Sequence, residues 1–242
     1  IILRSDYDSL EKLLKGSHLN FSPEETDEQK GKRLLEWRQQ VLNIRDLACR
    51  TPLHLAISMS LTKMVKMLLD SGADPMFVSK LKKTPLHTAC EIGNLKLVMA
   101  LTTNLLAMDK SFINAKDSYL LSPILYSLMY GNLDVFKYLY KYSSIDDLKW
   151  VFKYDRKLTY YPLEMCLLYR QYDTAKYLLS IGYDADDHYY DNKSNKTQHI
   201  LGKSVSNHDY EMFSLLMGHL TKKYKLSNLY KYSSSMQISN ET

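Results

Sequence analysis

The chain has 242 residues, 45% of them hydrophobic, enough to fill one substantial core or an array of smaller ones. Thirty-two Lys and Arg against 27 Asp and Glu leave a formal charge of +5, too small to point to nucleic acid, whose binders concentrate cations on one face. Cys49, Cys90 and Cys166 are odd in number and lack CxxC spacing, so neither a disulfide framework nor a zinc site is indicated; no apolar run nears the roughly 18 residues of a bilayer span.

In chain order, Ile1, Ile2, Leu10, Leu13 and Leu14 read as the latter half of a helix pair, so the chain begins in mid-unit. Ser22-Pro23-Glu24-Glu25 is a capping box with proline at the first helical position and predicts a helix starting there. Leu34, Trp37 and Val41 give that helix an apolar stripe. It is expected to lie over an edge of the domain, the alternative being a peptide-docking element, with the charged stretch 24–33 solvated. Thr51-Pro52-Leu53-His54-Leu55-Ala56 then starts an inner helix running to about Ser60, with Thr as cap and Pro in the first turn. A second helix carries Met64, Val65, Leu68 and Leu69 on one face and stops at Gly72-Ala73-Asp74-Pro75.

The hexapeptide returns 33 residues on as Thr84-Pro85-Leu86-His87-Thr88-Ala89, followed by Gly93-Asn94 between helices and by Val98 and Leu101. Ser122-Pro123-Ile124-Leu125 comes 38 residues later and Tyr161-Pro162-Leu163-Glu164 another 39 on. Both lengthened units lack the glycine stop, with Leu105 and Ser143 in its place, which predicts an extra helical turn or a longer outer loop. A fifth start, Thr197-Gln198-His199-Ile200-Leu201, has lost its proline, and Met212, Leu215 and Leu216 fit it only with a slipped register.

Thr-Pro-Leu-His-x-Ala at a 33-residue period resembles ankyrin repeats. The resemblance implies an all-α chain with short β-hairpin fingers, a solenoid of about six helix-turn-helix units. It sets a single domain at 1–232, with a half-repeat at 1–20, an insertion at 21–42 and repeats starting near 43, 76, 114, 153 and 189; a flexible tail fills 233–242. It also implies protein binding by a concave groove of finger tips and inner-helix flanks.

Counting from each anchor places Ile44, Arg45, Leu47 and Arg50 on the first finger and Phe77, Val78, Lys80, Leu81 and Lys83 on the second. Lys116, Tyr119 and Leu121 fall on the third, and Tyr154, Asp155, Lys157, Leu158 and Tyr160 on the fourth. Helix-flank candidates are Met59, Glu91, Ile92, Met129, Tyr130, Leu168 and Tyr169. Fifteen of the 20 tyrosines lie between Tyr119 and Tyr190, a density that fits either an interface or a compositional bias.

Catalytic chemistry needs convergent groups, and no nucleophile-base pair, carboxylate pair or phosphate-cradling glycine run is legible, so no enzyme and no cofactor or metal is expected. His54 and His87 share one motif position and are expected to bond the neighbouring turn; Cys90 is expected in the core.

Residues 43–122 are more specifically similar to the inhibitors of NF-kappaB and the ankyrin halves of NF-kappaB precursors. The shared wording is Gly72-Ala73-Asp74-Pro75, then Thr84 through Cys90-Glu91-Ile92-Gly93, then Val98 to Thr103 and a lengthened unit. That likeness implies binding a Rel-homology dimer and masking its nuclear-import segment and DNA-contacting surface. It further implies a protein partner with no direct nucleic acid or membrane contact, a monomer when free, and a cytoplasmic or nuclear place. The family's paired-serine degradation signal has no match beyond Asp70-Ser71-Gly72 at a helix stop, and Lys222, Lys223, Lys225 and Lys231 stand in place of an acidic tail. Another ankyrin adaptor, such as a ubiquitin-ligase substrate receptor or a pathogen protein binding a host target, is the alternative.

Overall fold

Threonine before proline starts a helix because the hydroxyl residue sits outside it in extended backbone while proline's fixed φ already suits the first turn. In the computed structural model, which describes residues 1–105, 111–143, 148, 150–154, 156–183, 188–191 and 196–224, every such start opens a short inner helix. The chain divides into two units, Ile1–Ser127 with Asp134–Ser143, and Leu128–Leu133 with the described residues beyond 144.

Unit 1 begins with a 3-10 turn, Ile2–Arg4, and helix α1, Tyr7–Leu14, whose N-terminus is capped by Asp6 accepting from the Ser9 N–H at 2.9 Å. Helix α2 spans Asp27–Leu42 and corrects the expected start at Ser22: Thr26 and Gln29 form the capping box, while Ser22 begins a turn closed by the Glu25 N–H. Its Trp37 indole donates to the Leu13 carbonyl at 3.0 Å, and Arg38 donates to that of Leu14 at 2.8 Å. Arg38 thereby satisfies the carbonyl of Leu14 at the end of α1, and the indole is a second donor to that of Leu13, which also accepts from the Gly16 N–H, as a helix covering an edge does.

Two inner-outer pairs follow, α3 (Pro52–Ser58) with α4 (Thr62–Asp70) and α5 (Pro85–Ile92) with α6 (Leu95–Leu105). Inner helix α7, Pro123–Met129, belongs to unit 1 through Ser127, and outer helix α8, Leu133–Tyr140, from Asp134. Unit 2 contains hairpin β1 (Trp150–Tyr154) with β2 (Arg156–Tyr160), then α9 (Pro162–Tyr169) with α10 (Tyr172–Ser180). A second hairpin, β3 (His188–Asp191) with β4 (Lys196–His199), leads to α11 (Ile200–Ser206) and α12 (Tyr210–Tyr224). Both hairpins are antiparallel, with Phe152 opposite Leu158 and Tyr190 opposite Thr197.

One register runs through all five repeats. Nine residues after Thr51, Thr84, Ser122, Tyr161 and His199 stand Ser60, Gly93, Gly131, Arg170 and His208, all with positive φ, at the turn between inner and outer helix. Thirteen residues after them stand Met64, Leu97, Val135, Thr174 and Met212, and seventeen after stand Leu68, Leu101, Leu139, Leu178 and Leu216, all buried. Each buried leucine removes enough apolar surface to contribute about 2 kcal/mol. The last repeat therefore starts at His199, the N-cap of α11, and not at Thr197, and with that correction its apolar pattern needs no slip. In the first lengthened unit the extra residues make α6 longer and add a 3-10 turn at Ser111–Asn114; after α8 comes the β1–β2 hairpin. The expected tail at 233–242 lies outside the described residues.

The motif histidines join one repeat to the next. The Thr51 N–H donates to His54 Nδ1 at 3.2 Å and the Thr51 hydroxyl lies 2.9 Å from it, so Nδ1 is the unprotonated nitrogen and Nε2–H donates to the Lys83 carbonyl at 3.1 Å. His87 repeats the arrangement with Thr84 and with the Leu121 carbonyl at 3.0 Å, and also meets the edge of the Tyr126 ring. Burial disfavours the cation and lowers both pKa values, that of His87 to about 4. At the same position Ser122 faces Leu125 instead, and its buried hydroxyl has no partner among the described residues.

Candidate protein-binding site

The chain between an outer helix and the next inner one must reverse within a few residues, and in unit 1 it does so by the same turn three times. The Asp46 N–H donates to the Arg50 carbonyl at 3.1 Å and the Cys49 N–H to the Asp46 carbonyl at 2.8 Å; Ser79 with Lys82 and Lys83, and Asp117 with Leu120 and Leu121, repeat the pattern. Cys49, Lys82 and Leu120 take the left-handed conformation that closes each turn. Asp46 Oδ1 accepts from the N–H groups of Ala48 and Arg50, and Asp117 Oδ1 from those of Tyr119 and Leu121, as short acidic side chains do in turns. The second carboxylate oxygens are used as well: Asp46 holds the Arg50 guanidinium at 2.8 Å, and the buried Asp117 accepts from the Tyr126 hydroxyl at 2.6 Å. The backbone and side-chain bonds from Arg50 lower the Asp46 pKa.

Neighbouring fingers are stitched edge to edge. The Lys80 N–H donates to the Ala48 carbonyl at 2.8 Å and the Ser118 N–H to the Leu81 carbonyl at 2.9 Å. Between the first two fingers and helices α3 and α5 lies an open cavity of about 350 Å³, with Ser58 and Thr88 from the helices and Arg50, Lys80, Leu81 and Lys83 from the fingers.

Most of the residues expected in unit 1 stand at this surface. Ile44, Leu47, Val78, Leu81 and Tyr119 are exposed on the fingers, Leu47 completely, as are Arg45, Arg50, Lys80 and Lys116. Phe77 is half-buried beneath the Arg45 guanidinium, 4.9 Å from the ring centre. Lys83 is also largely covered, pairing with Glu91 at 2.8 Å and lying 4.3 Å from the centre of the Tyr126 ring. Leu121 is a correction: its side chain is 5% exposed, because it enters the core just before the Ser122 start, and only its carbonyl serves the junction. Sequence counting missed exposed Met76, Lys82 and Leu120; the left-handed column would have exposed the last two, since a residue at the tip of so tight a turn has nowhere to bury.

The inner-helix flanks behave alike in both units. Met59 and Ile92 in unit 1, and Tyr130 and Tyr169 in unit 2, occupy the eighth position after their starts and are 37% to 52% exposed. Leu168 is exposed as well, while Met129 is half-buried and its carbonyl accepts from the Gln171 amide at 3.1 Å. Of the fourth-finger candidates, Asp155 lies outside the described residues, and Tyr154, Lys157, Leu158 and Tyr160 are placed by backbone alone, on β1 and β2. An apolar or aromatic residue kept at one solvent-facing position through four repeats is suited to a partner.

Among the described residues no cluster of His, Cys, Asp or Glu could hold a metal ion, and no helix is long and apolar enough to cross a membrane. Cys90 and Cys166 are fully buried, which pushes their thiols up and keeps them protonated.

Residues 49–80 match the family model described as Ankyrin repeat. Over 61 residues, 25% of this chain and 19% of the relative, the sequence is 41% identical to NF-kappa-B inhibitor alpha of Sus scrofa. Over 83 residues, 34% of this chain and 12% of the relative, it is 35% identical to an ankyrin repeat protein of Fowlpox virus, so the matched stretches are minor parts of both relatives. Among solved structures, the ankyrin repeat domain of Bcl-3, a member of the IkappaB protein family, superposes with a TM-score of 0.60 over 77% of this chain and 78% of that one, at 22% identity, a likeness of fold. The repeated Thr-Pro-Leu-His starts, the single register of helix pairs and these matches agree: residues 49–80 form an ankyrin repeat and the chain has the ankyrin-repeat fold.

Proposed function

We propose that the protein is a non-enzymatic interaction module of the IkappaB type, which binds a Rel-homology dimer and thereby withholds it from the nucleus and from DNA. The observation that carries this reading is the 41% identity to NF-kappa-B inhibitor alpha over 61 residues, beside the shared wording from Gly72 to Thr103, which spans the second finger and the α5–α6 pair. The exposed apolar and aromatic flank residues Met59, Ile92, Tyr130 and Tyr169 support it, since a binding face needs such side chains within a partner's reach. Pull-down with purified Rel-homology dimers at low salt tests it: retention at micromolar concentration is expected, and its absence refutes the Rel assignment. Substituting Tyr119 by Ala should weaken that retention without unfolding the chain.

A second reading, an ankyrin adaptor such as a pathogen protein that engages a host target, is favoured by the 35% identity to the Fowlpox virus protein. Affinity purification followed by mass spectrometry separates the two, because the adaptor reading expects a partner without a Rel-homology region.

A further inference from the structure

The three fingers of unit 1 carry their charges unevenly. Residues 43–50, 76–83 and 114–121 hold six cations, Arg45, Arg50, Lys80, Lys82, Lys83 and Lys116, and only two acids, Asp46 and Asp117. Both acids are consumed inside their own turns, Asp46 by backbone N–H groups and Arg50, and Asp117 by backbone N–H groups and the Tyr126 hydroxyl. Glu91 on α5 is matched by Lys83, and the rest of α3 and α5 carries no acid. Lys80, Lys82 and Lys116 stand exposed, and no carboxylate among the described residues pairs with them. Leu47, Val78 and Leu81 are exposed between these cations, beside the cavity of about 350 Å³ that Lys80 and Arg50 help to line.

We infer that this finger row docks an acidic, apolar-bearing extended segment of the partner protein, whose carboxylates meet Lys80, Lys82 and Lys116 and whose apolar side chains cover Leu47, Val78 and Leu81. Opposite charge across an interface guides encounter and orientation, and like charge is costly, so the row selects against cationic segments. A surface that contacts DNA is itself rich in Lys and Arg. If the partner is a Rel-homology dimer, the finger row therefore takes an acidic part of it and leaves the DNA-contacting face to other residues. The inference rests on reading the chain as a protein-binding module and does not depend on which protein it binds.

The test uses the full chain immobilised against a displayed library of random dodecapeptides. Enriched peptides are expected to be net negative with interspersed apolar residues. Synthetic copies should bind more weakly as sodium chloride is raised from about 50 to 300 mM, because these cations are exposed and screened. The double variant Lys80→Glu, Lys116→Glu should lose about tenfold or more in affinity with an unchanged thermal melt. Enrichment of neutral or basic peptides, no enrichment, or acidic peptides that bind the variant as well as the parent would each overturn the proposal. Failure of Rel dimers in the pull-down with acidic peptides still captured would remove only the Rel assignment; the converse result would remove only the acidic docking surface.

Discussion

His87 in unit 1 and Glu164 in unit 2 occupy the same position of their repeats and reach forward to the following repeat by different chemistry. The imidazole uses one nitrogen to receive from its own cap and the other to donate to the backbone carbonyl of Leu121. Glu164 has no hydrogen to donate, so it cannot serve a carbonyl when ionised. It meets Lys203 instead, four residues after the His199 start, and the carboxylate is 3% exposed. A neutral ring thus joins repeats through backbone that any sequence supplies, whereas the acid needs a matching cation at one place on the next helix. The junctions in unit 1 should respond to pH and tolerate neighbouring substitutions; the one in unit 2 should depend on a single side chain.

Breaking the ion pair gives the largest expected effect. Lys203→Ala leaves the Glu164 carboxylate buried without its cation and should destabilise unit 2 by about 3 kcal/mol, read as an earlier denaturant midpoint. Adding Glu164→Leu to Lys203→Ala should recover most of that loss, because the burial cost of the charge disappears with it. A double variant no more stable than Lys203→Ala would show that Lys203 acts through packing.

His87→Leu makes this junction resemble the natural Ser122-Leu125 pair and should cost about 2 to 3 kcal/mol, since the Thr84 N–H and Leu121 carbonyl lose a buried partner. The parent should also show a pH dependence that the variant loses. With a folded pKa of about 4, below the ordinary 6.5, the unfolded chain binds the proton first. Stability from His87 is whole above about pH 6.5 and falls as the pH drops toward 4, by on the order of 3 kcal/mol. His54, whose pKa is lowered in the same direction, adds to the slope. Equal slopes in parent and His87→Leu would show that other groups govern acid sensitivity.

The same comparison explains what could be read from the chain itself. Thr51 and Thr84 with Pro and His beside them made two repeats, their helix stops and the role of both imidazoles legible, because each residue type there answers a backbone requirement. Glu164 was equally visible after Tyr161-Pro162-Leu163, yet Lys203 was not: a start at Thr197 puts Leu201 in its place, and with proline absent nothing local marks His199 as the cap. The left-handed residue His208 marks it only once its column with Ser60 and Gly93 is known, since histidine favours positive φ far less than glycine does. The binding surface was legible where exposure follows from the turn, as at Leu47 and Val78, and failed at Leu121, where one residue's difference along the finger turns a side chain from solvent to core. The misplaced start of α2 has a similar cause: two capping patterns lie four residues apart, and the Trp37 and Arg38 bonds to the end of α1 show where the one that forms places its helix.

The smallest effect sharpens the comparison within unit 1. Ser79 stands where Asp46 and Asp117 stand in the flanking fingers, with the same backbone bond to the residue four ahead, but serine is shorter and supplies no carboxylate for the turn's N–H groups. Ser79→Asp should restore two side-chain bonds, to the N–H groups of Leu81 and Lys83 by analogy with those that Asp117 accepts from Tyr119 and Leu121, and stabilise unit 1 by about 0.5 to 1 kcal/mol. The added negative charge would sit beside Lys80 and Lys83 at the cavity, so affinity for an acidic peptide should fall in the same protein whose melting point rises. Opposite movement of the two measurements is what separates a turn-stabilising change from a general loosening; if stability drops together with affinity, the second finger is held by something other than the turn chemistry of its neighbours.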